Sequence, residues 1–509
     1  MKTLLVQATF VTFITLALPA VIWAQKKTDS HPPDAVEDAQ TPRQADKTRV
    51  EQKKTAHDAD DKFKADKAAP ASSAIATQPD GGQILGFDFY RDPLNAKVPQ
   101  QTFGEIMQAD KAAKSAVMEA QAKLLAKRYD LNPKFDPVAK MSRGKPVPLG
   151  PTARLAEGVS WDKLNEAAPG DIRKAGTFPY PALPHPKHVA GGQVFPAMQT
   201  VIFPRLQRFD VDFDLPDAFL PEFPPAIFLQ NRPELGDVSR GEVVSINNYY
   251  KLFKDLLTPV QLDGLRLLLT PLPQEEFNPT DDRKTEQPSL GVTCLDCHVN
   301  GHTTAQFHLS PDIRPQQRRP RLDTVSLRGL FNQQVHGSKR SLRSVEDFTE
   351  FEQRTAYFNG DPIHAFKKGA MILDRVQVSH MAQMQNMFDF PPAPKLDPAT
   401  GRLDRSKATE SESRGEDLFF GKAKCATCHT PPSYLDHQYH DLMVERFTDS
   451  PALGPIKTFT LRGIKDSPPY LHDGRCLTLE DTVEFFNLVL QLKLNSSEKA
   501  DLSAFMKAL

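Results

Sequence analysis

The feature that most constrains this 509-residue chain is a short cysteine motif that occurs twice, each time at the head of the same longer pattern. The first copy runs Cys294-Leu-Asp-Cys297-His298, then Thr324-Val-Ser-Leu-Arg328-Gly329, then His336-Gly-Ser-Lys-Arg-Ser341-Leu342. The second runs Cys425-Ala-Thr-Cys428-His429, then Thr458-Phe-Thr-Leu-Arg462-Gly463, then His472-Asp-Gly-Arg-Cys-Leu-Thr478-Leu479. The gaps are similar: 26 and 29 residues from motif histidine to threonine, then 8 and 10 from arginine to histidine. Such a repeat means one structural unit built twice, each of ~120–140 residues and so within domain range. Carried forward, this register sets Thr349 opposite Phe486.

Cys-x-x-Cys-His is the attachment signature of c-type haem. Two thiols at this spacing on a short helix can add to both vinyl groups of one ring edge, and the adjoining histidine then ligates the iron. With 5 cysteines and 14 histidines in 509 residues, a chance match is expected only about 0.001 times. A structural zinc site would need four ligands in one cluster, and a redox Cys-x-x-Cys has no use for the histidine. Two covalently bound haem c groups are therefore expected, one on Cys294, Cys297 and His298, the other on Cys425, Cys428 and His429. His298 and His429 are the expected iron ligands. Arg328 and Arg462 recur at matching positions and are candidates to hold haem propionates. Cys476 is left over and reads as a buried thiol.

The formal net charge of −1 gives no electrostatic case for a nucleic-acid partner. Lys2 and the apolar stretch Leu4 to Ala24 read as a signal peptide over residues 1–24, which predicts export to the periplasm. The alternative is an uncleaved anchor that tethers the protein to a membrane; Gln7, Thr9, Thr12 and Thr15 weaken it. Residues 25–82 hold one aromatic, Phe63, and read as a disordered tether. Residues 83–255 form an extension without a recognisable motif, dense in Pro and Phe over 178–235 like a wrapping segment. A helix is predicted where Ile106, Ala113, Val117 and Leu124 recur, closed by Asn132-Pro133. Thr409-x-x-Glu412, Thr478-x-x-Asp481 and Asn495-x-x-Glu498 read as helix starts with capping boxes.

From Leu257-Thr-Pro-Val-Gln-Leu-Asp-Gly-Leu to Leu509, about half the chain, the sequence resembles the bacterial di-haem cytochrome c peroxidase/MauG superfamily. Its clearest pieces are Arg414-Gly-Glu-Asp-Leu-Phe-Phe-Gly before Cys425, Lys457-Thr-Phe-Thr-Leu-Arg-Gly-Ile, and Pro469-Tyr-Leu-His-Asp-Gly474. The resemblance implies a mainly α fold: two tandem cytochrome c-like haem domains, 256–395 and 396–509, preceded by the Pro/Phe-rich N-terminal extension and the disordered tether. It implies an oxidoreductase that reduces hydrogen peroxide at the first haem. Electrons would enter at the second from a small donor cytochrome or cupredoxin. A calcium ion, frequent between the domains in the family, is the further cofactor implied. Two other readings stand beside it: a di-haem electron-transfer protein without peroxidase activity, and a MauG-like or oxygenase activity on a protein or organic substrate.

Two departures from the family matter. The Met or Tyr that closes the second haem falls here at Phe486, which cannot ligate iron. Met443 is the substitute candidate, against its reading as a core methionine. The tryptophan expected between the haems is replaced by Val335-His336, and outside the signal only Trp161 remains. Peroxide cleavage needs a base; Glu350 and Glu352 follow the first His-Gly turn, and Glu352 is the candidate catalytic residue, against a solvated helix glutamate. His308 leads over His302 as a displaceable ligand, since four residues past His298 is a tight loop; the alternative is a loop histidine bonded to backbone. His472 is a candidate to line the second haem's pocket or to stabilise its turn.

Overall fold

The structure is a computed structural model that describes residues 76–77, 83–84, 103–184, 195–206, 215–271, 293–309, 321–339, 341–353, 373–450 and 452–509. All belong to one compact unit, Ser73–Leu509. The expected signal peptide 1–24 and nearly all of the expected tether 25–82 lie outside the described residues. The chain is mainly helical, and its strands occur only in two-stranded pairs among the described residues. No described helix is long and apolar enough to cross a membrane.

Helix α1 (Phe103–Arg128) covers the predicted periodic stretch. An antiparallel pair, β1 (Phe135–Lys140) and β2 (Pro146–Pro148), follows it. The first motif half then runs α2 (Pro259–Leu268), α3 (Cys294–Cys297), the pair β3 (Phe307–Leu309) and β4 (Arg321–Asp323), α4 (Val345–Glu352) and α5 (Arg375–Gln385). The second half repeats this order with α6 (Glu410–Phe420), the turn Cys425–Thr427, the pair β5 (Tyr439–His440) and β6 (Ile456–Lys457), α7 (Leu479–Val489) and α8 (Ser496–Ala508).

Local chemistry starts these helices in matching ways. Thr258 and Thr409 cap α2 and α6 through capping boxes with Gln261 and Glu412. Asp374 and Asn495 do the same for α5 and α8 with Gln377 and Glu498. Each cap satisfies N–H groups that the first turn leaves open, worth ~1 kcal/mol. The helix pairs then cross at a glycine in each half. A Cβ on Gly264 would overlap the His380 carbonyl of α5, and one on Gly415 the Asp501 carbonyl of α8. Only glycine lets the two backbones approach this closely.

Each half has its own apolar core, and the extension joins both. Leu265, Leu268, Val378, Met381 and Phe388 pack with Ile227, Leu252 and Phe253. Phe419, Val483, Phe485, Leu502 and Phe505 pack with Phe178 and Tyr180. Burial of each such side chain contributes ~1.5–3 kcal/mol. Residues 129–184 are also pinned to the second half by buried polar contacts. Asp481 accepts hydrogen bonds from the N–H groups of Thr152 (2.8 Å) and Ala153 (3.2 Å), the Thr152 hydroxyl (2.6 Å) and the Tyr180 hydroxyl (3.0 Å).

Candidate functional site

In the first half, Thr293 caps α3 and Asp296 returns a bond to its N–H, which winds Cys294 and Cys297 into one turn. His298 follows at the end of that turn, and its Nδ1–H donates to the Val325 carbonyl at 2.8 Å. That bond fixes the tautomer and leaves Nε2 free as a metal ligand. Burial lowers the His298 pKa to about 4, so the ring is neutral and suited to ligation. Burial, with Asp296 and Cys294 next and Glu352 also contributing, pushes the Cys297 thiol well up. Gln199 of the extension braces the same turn, donating to the Asp296 carbonyl at 2.5 Å.

The second half repeats the arrangement. His429 Nδ1–H donates to the Tyr434 carbonyl at 2.9 Å, which again leaves Nε2 free. None of Cys294, Cys297, Cys425 and Cys428 is in a disulfide. All three residues of the second motif line a cavity of about 1590 Å³, together with Met443 and Phe486. That exceeds the ~300–1,000 Å³ typical of sites for drug-sized ligands and suits a macrocycle. Buried polar atoms without partners also face this cavity: Arg328 Nε, Arg475 Nη2 and Asp323 Oδ1. Thiols outside any disulfide, oriented imidazoles and the unpartnered N–H groups of Arg328 and Arg475 fit a covalently held ring with carboxylate side chains.

The two candidate arginines both line that cavity, but each already has protein partners. Arg328 pairs with Asp466 at 3.1 Å and donates to the Ala226 carbonyl at 2.7 Å. Arg462 donates to the Leu509 carbonyl at 3.1 Å and lies 5.3 Å from the Phe390 ring. Trp161 stacks on Tyr180 at 6.2 Å in the second core. His302 is buried and bonded to Ser326 (2.8 Å) and to the Asp466 carbonyl (3.1 Å). His472 lines the cavity, and burial holds its pKa down at about 4. Cys428, Asp436 and His440 also converge, their ligand atoms within 4.8 Å of one another. Three donors are fewer than the four that close a structural zinc site.

The structure shifts the register of the repeat. Arg328 and Arg462 stand 134 positions apart, as do the caps Ser344 and Thr478 of α4 and α7. The bridges His336–Leu342 and Tyr470–Cys476 keep the same interval. So do the serine and threonine whose hydroxyls accept from the arginine N–H, Ser326 and Thr460, both at 3.1 Å. His336 therefore corresponds to Tyr470 rather than to His472, and Phe486 corresponds to Glu352 rather than to Thr349. Matching the histidines by type inserted two residues that the backbone does not have. Glu350, by contrast, pairs with Arg375 at the surface. His308 pairs with Leu322 across the first hairpin as His440 pairs with Ile456 across the second, so the two histidines are counterparts. The His308 side chain lies outside the described residues.

The same register exposes residues that motif reading missed. Asp323 and Lys457 are counterparts, an acid and a base, and both line the cavity. Each is tied by its backbone to the other half: Asp323 N–H donates to the His472 carbonyl (2.8 Å) and Lys457 N–H to the Ser338 carbonyl (3.0 Å). The interface is thus a pseudo-two-fold contact, in which each half offers the same strand to the same turn. Tracking the fixed interval along the sequence would have found both.

Similarity to known proteins agrees with this geometry. Cytochrome-c peroxidase IdrP1 of Pseudomonas sp. (strain SCT) is 28% identical over a match covering 21% of this chain and 41% of that protein. The methylamine utilization protein MauG of Methylorubrum extorquens is 29% identical, over 21% of this chain and 36% of its own length. Cytochrome c551 peroxidase of Nitrosomonas europaea is 31% identical over the same two shares, 21% and 36%. The chain is related to the di-haem cytochrome c peroxidase/MauG superfamily. It spans less than half the length of these relatives, and no family model matches it.

Proposed function

We propose that the protein is an exported di-haem c-type oxidoreductase, built on two tandem cytochrome c-like domains, that reduces hydrogen peroxide with electrons from a small redox carrier. The observation that carries this reading is the exchange of one residue at one helical position. Glu352 occupies in α4 the place that Phe486 occupies in α7, and its charge contributes to the raised pKa of the Cys297 thiol, after burial, Asp296 and Cys294. At this helical position the first half carries an ionisable group and the second an inert ring.

Cys294, Cys297 and His298 would hold one haem, and Cys425, Cys428 and His429 the other. Haem supplies the one-electron and peroxide chemistry that no side chain here can perform. Reduction of hydrogen peroxide takes up two electrons and two protons and yields two waters. The Glu352 carboxylate would accept a proton from one peroxide oxygen and deliver it to the other. The Val325 and Tyr434 carbonyls keep the two imidazoles oriented. Met443 lines the cavity that holds the second motif, and its thioether suits an electron-entry centre rather than a reactive one.

The Glu352→Gln variant should lose about 10²–10⁴ of peroxidase turnover, the usual worth of a general base. Mass spectrometry should show both covalent porphyrins retained. Unchanged turnover would remove Glu352 from the mechanism, and a chain without porphyrin mass would remove the proposal.

A further inference from the structure

Lys457 is 3% exposed, yet among the described residues no carboxylate pairs with it. Its ammonium donates to the Gln333 side-chain carbonyl and lies 5.1 Å from the Phe459 ring. Burial alone lowers its pKa, to about 8. Burial, and after it the Lys457 charge, lowers the pKa values of His336 and His437, so neither neighbour offers it an anion. Lysine is almost never this buried without an anion, because the desolvation goes uncompensated. The repeat does not require a cation here, since the counterpart is Asp323. What the position does have is a face on the cavity shared with His429, where Gln333 and Phe459 also lie.

We propose that Lys457, with Gln333 beside it, is the binding site for a carboxylate inside the cavity that holds the second motif. One ammonium matches the charge of one carboxylate, and the Gln333 amide carries an N–H suited to the second oxygen. Two sources offer this chemistry: a propionate of the porphyrin, which rests on the function proposed above, and a free organic acid, which does not. Arg328 and Arg462 are engaged by Asp466, Ala226 and Leu509, so Lys457 is the better-prepared cation.

The test uses the mature protein after its porphyrin content has been weighed. In Lys457→Gln, both haems should remain, while the midpoint potential of the second falls and the propionate bending mode in its resonance Raman spectrum shifts. Lys457→Arg should retain both properties. If the carboxylate is free, calorimetric titration with succinate should show saturable binding to the wild type, weakened about tenfold or more in Lys457→Gln, equivalent to about 1.4 kcal/mol. That second arm is read even in a preparation without porphyrin, so the failure of the haem reading is told apart from failure of this site. Lys457→Met, of similar length and apolar, repeats both readouts if the glutamine variant fails to accumulate. Unaltered potential and Raman mode, with no succinate binding to the wild type, would overturn the proposal.

Discussion

The two halves of this molecule start α4 and α7 with the same cap and then diverge two residues into the helix. Ser344 and Thr478 each accept the N–H of an aspartate three residues on, at 3.1 Å in both halves. In the first half that residue, Asp347, is 42% exposed at its side chain and sits 4.0 Å from Arg375. In the second half it is Asp481, fully buried under the extension and holding Thr152, Ala153 and Tyr180. The lesson is that one helix start can serve as a surface turn or as the anchor for another part of the chain. The difference lies in what packs over it.

The largest effect should come from breaking that contrast. Asp481→Ala strands several buried donors, at about 1–3 kcal/mol each, and should lower stability by about 4 kcal/mol in a denaturant titration. Asp347→Ala, at the exposed counterpart, should cost under about 1 kcal/mol, chiefly a surface ion pair. Equal losses would show that the extension is not anchored as described. Next, Gly264→Ala and Gly415→Ala should each cost about 3 kcal/mol or more, because the added methyl meets backbone rather than a side chain that can yield. Here the halves should behave alike, and a tolerated alanine at either position would break the symmetry of the crossings.

The smallest effect sharpens the comparison through pH. Beside each crossing glycine the carboxylate has a different partner: Asp263 lies 2.7 Å from His380, and Asp501 accepts from Arg414 at 2.8 and 3.0 Å. The His380 bond lowers the Asp263 pKa, and the Arg414 bond lowers that of Asp501. A depressed carboxylate stabilises the fold above its unfolded pKa, about 3.9, and that contribution fades as pH falls through the folded value. Asp501→Asn should therefore cost about 1 kcal/mol near neutral pH and progressively less below about pH 4. An unchanged cost in acid would remove the ion pair as its origin.

How much was legible depended on how local the signal was. The capping boxes at Thr409 and Asn495 needed only neighbouring residues, and the structure shows them. The box read at Thr478 was half right. Thr478 is the cap, but the Asp481 carboxylate turns to the extension instead of back to the cap backbone. Glu352 was named from an alignment three residues out of register, so its position opposite Phe486 came from the caps and bridges. Asp323 carried no local signal, and Lys457 opened a quoted motif without showing a role of its own, since a lysine or an aspartate in a strand is ordinary until burial removes its water.

Taken alone, the order of residues determined the two thiol–imidazole motifs, the duplication and most helix starts, because those are written within a few positions of one another. Tertiary structure alone decided that Glu352 takes the helical position of Phe486, that Asp481 rather than Asp347 anchors residues 129–184, and that Lys457 is dry. Those outcomes depend on distances between residues far apart in the chain. Local propensity carries no information about them, whereas packing and desolvation act on every neighbour in space.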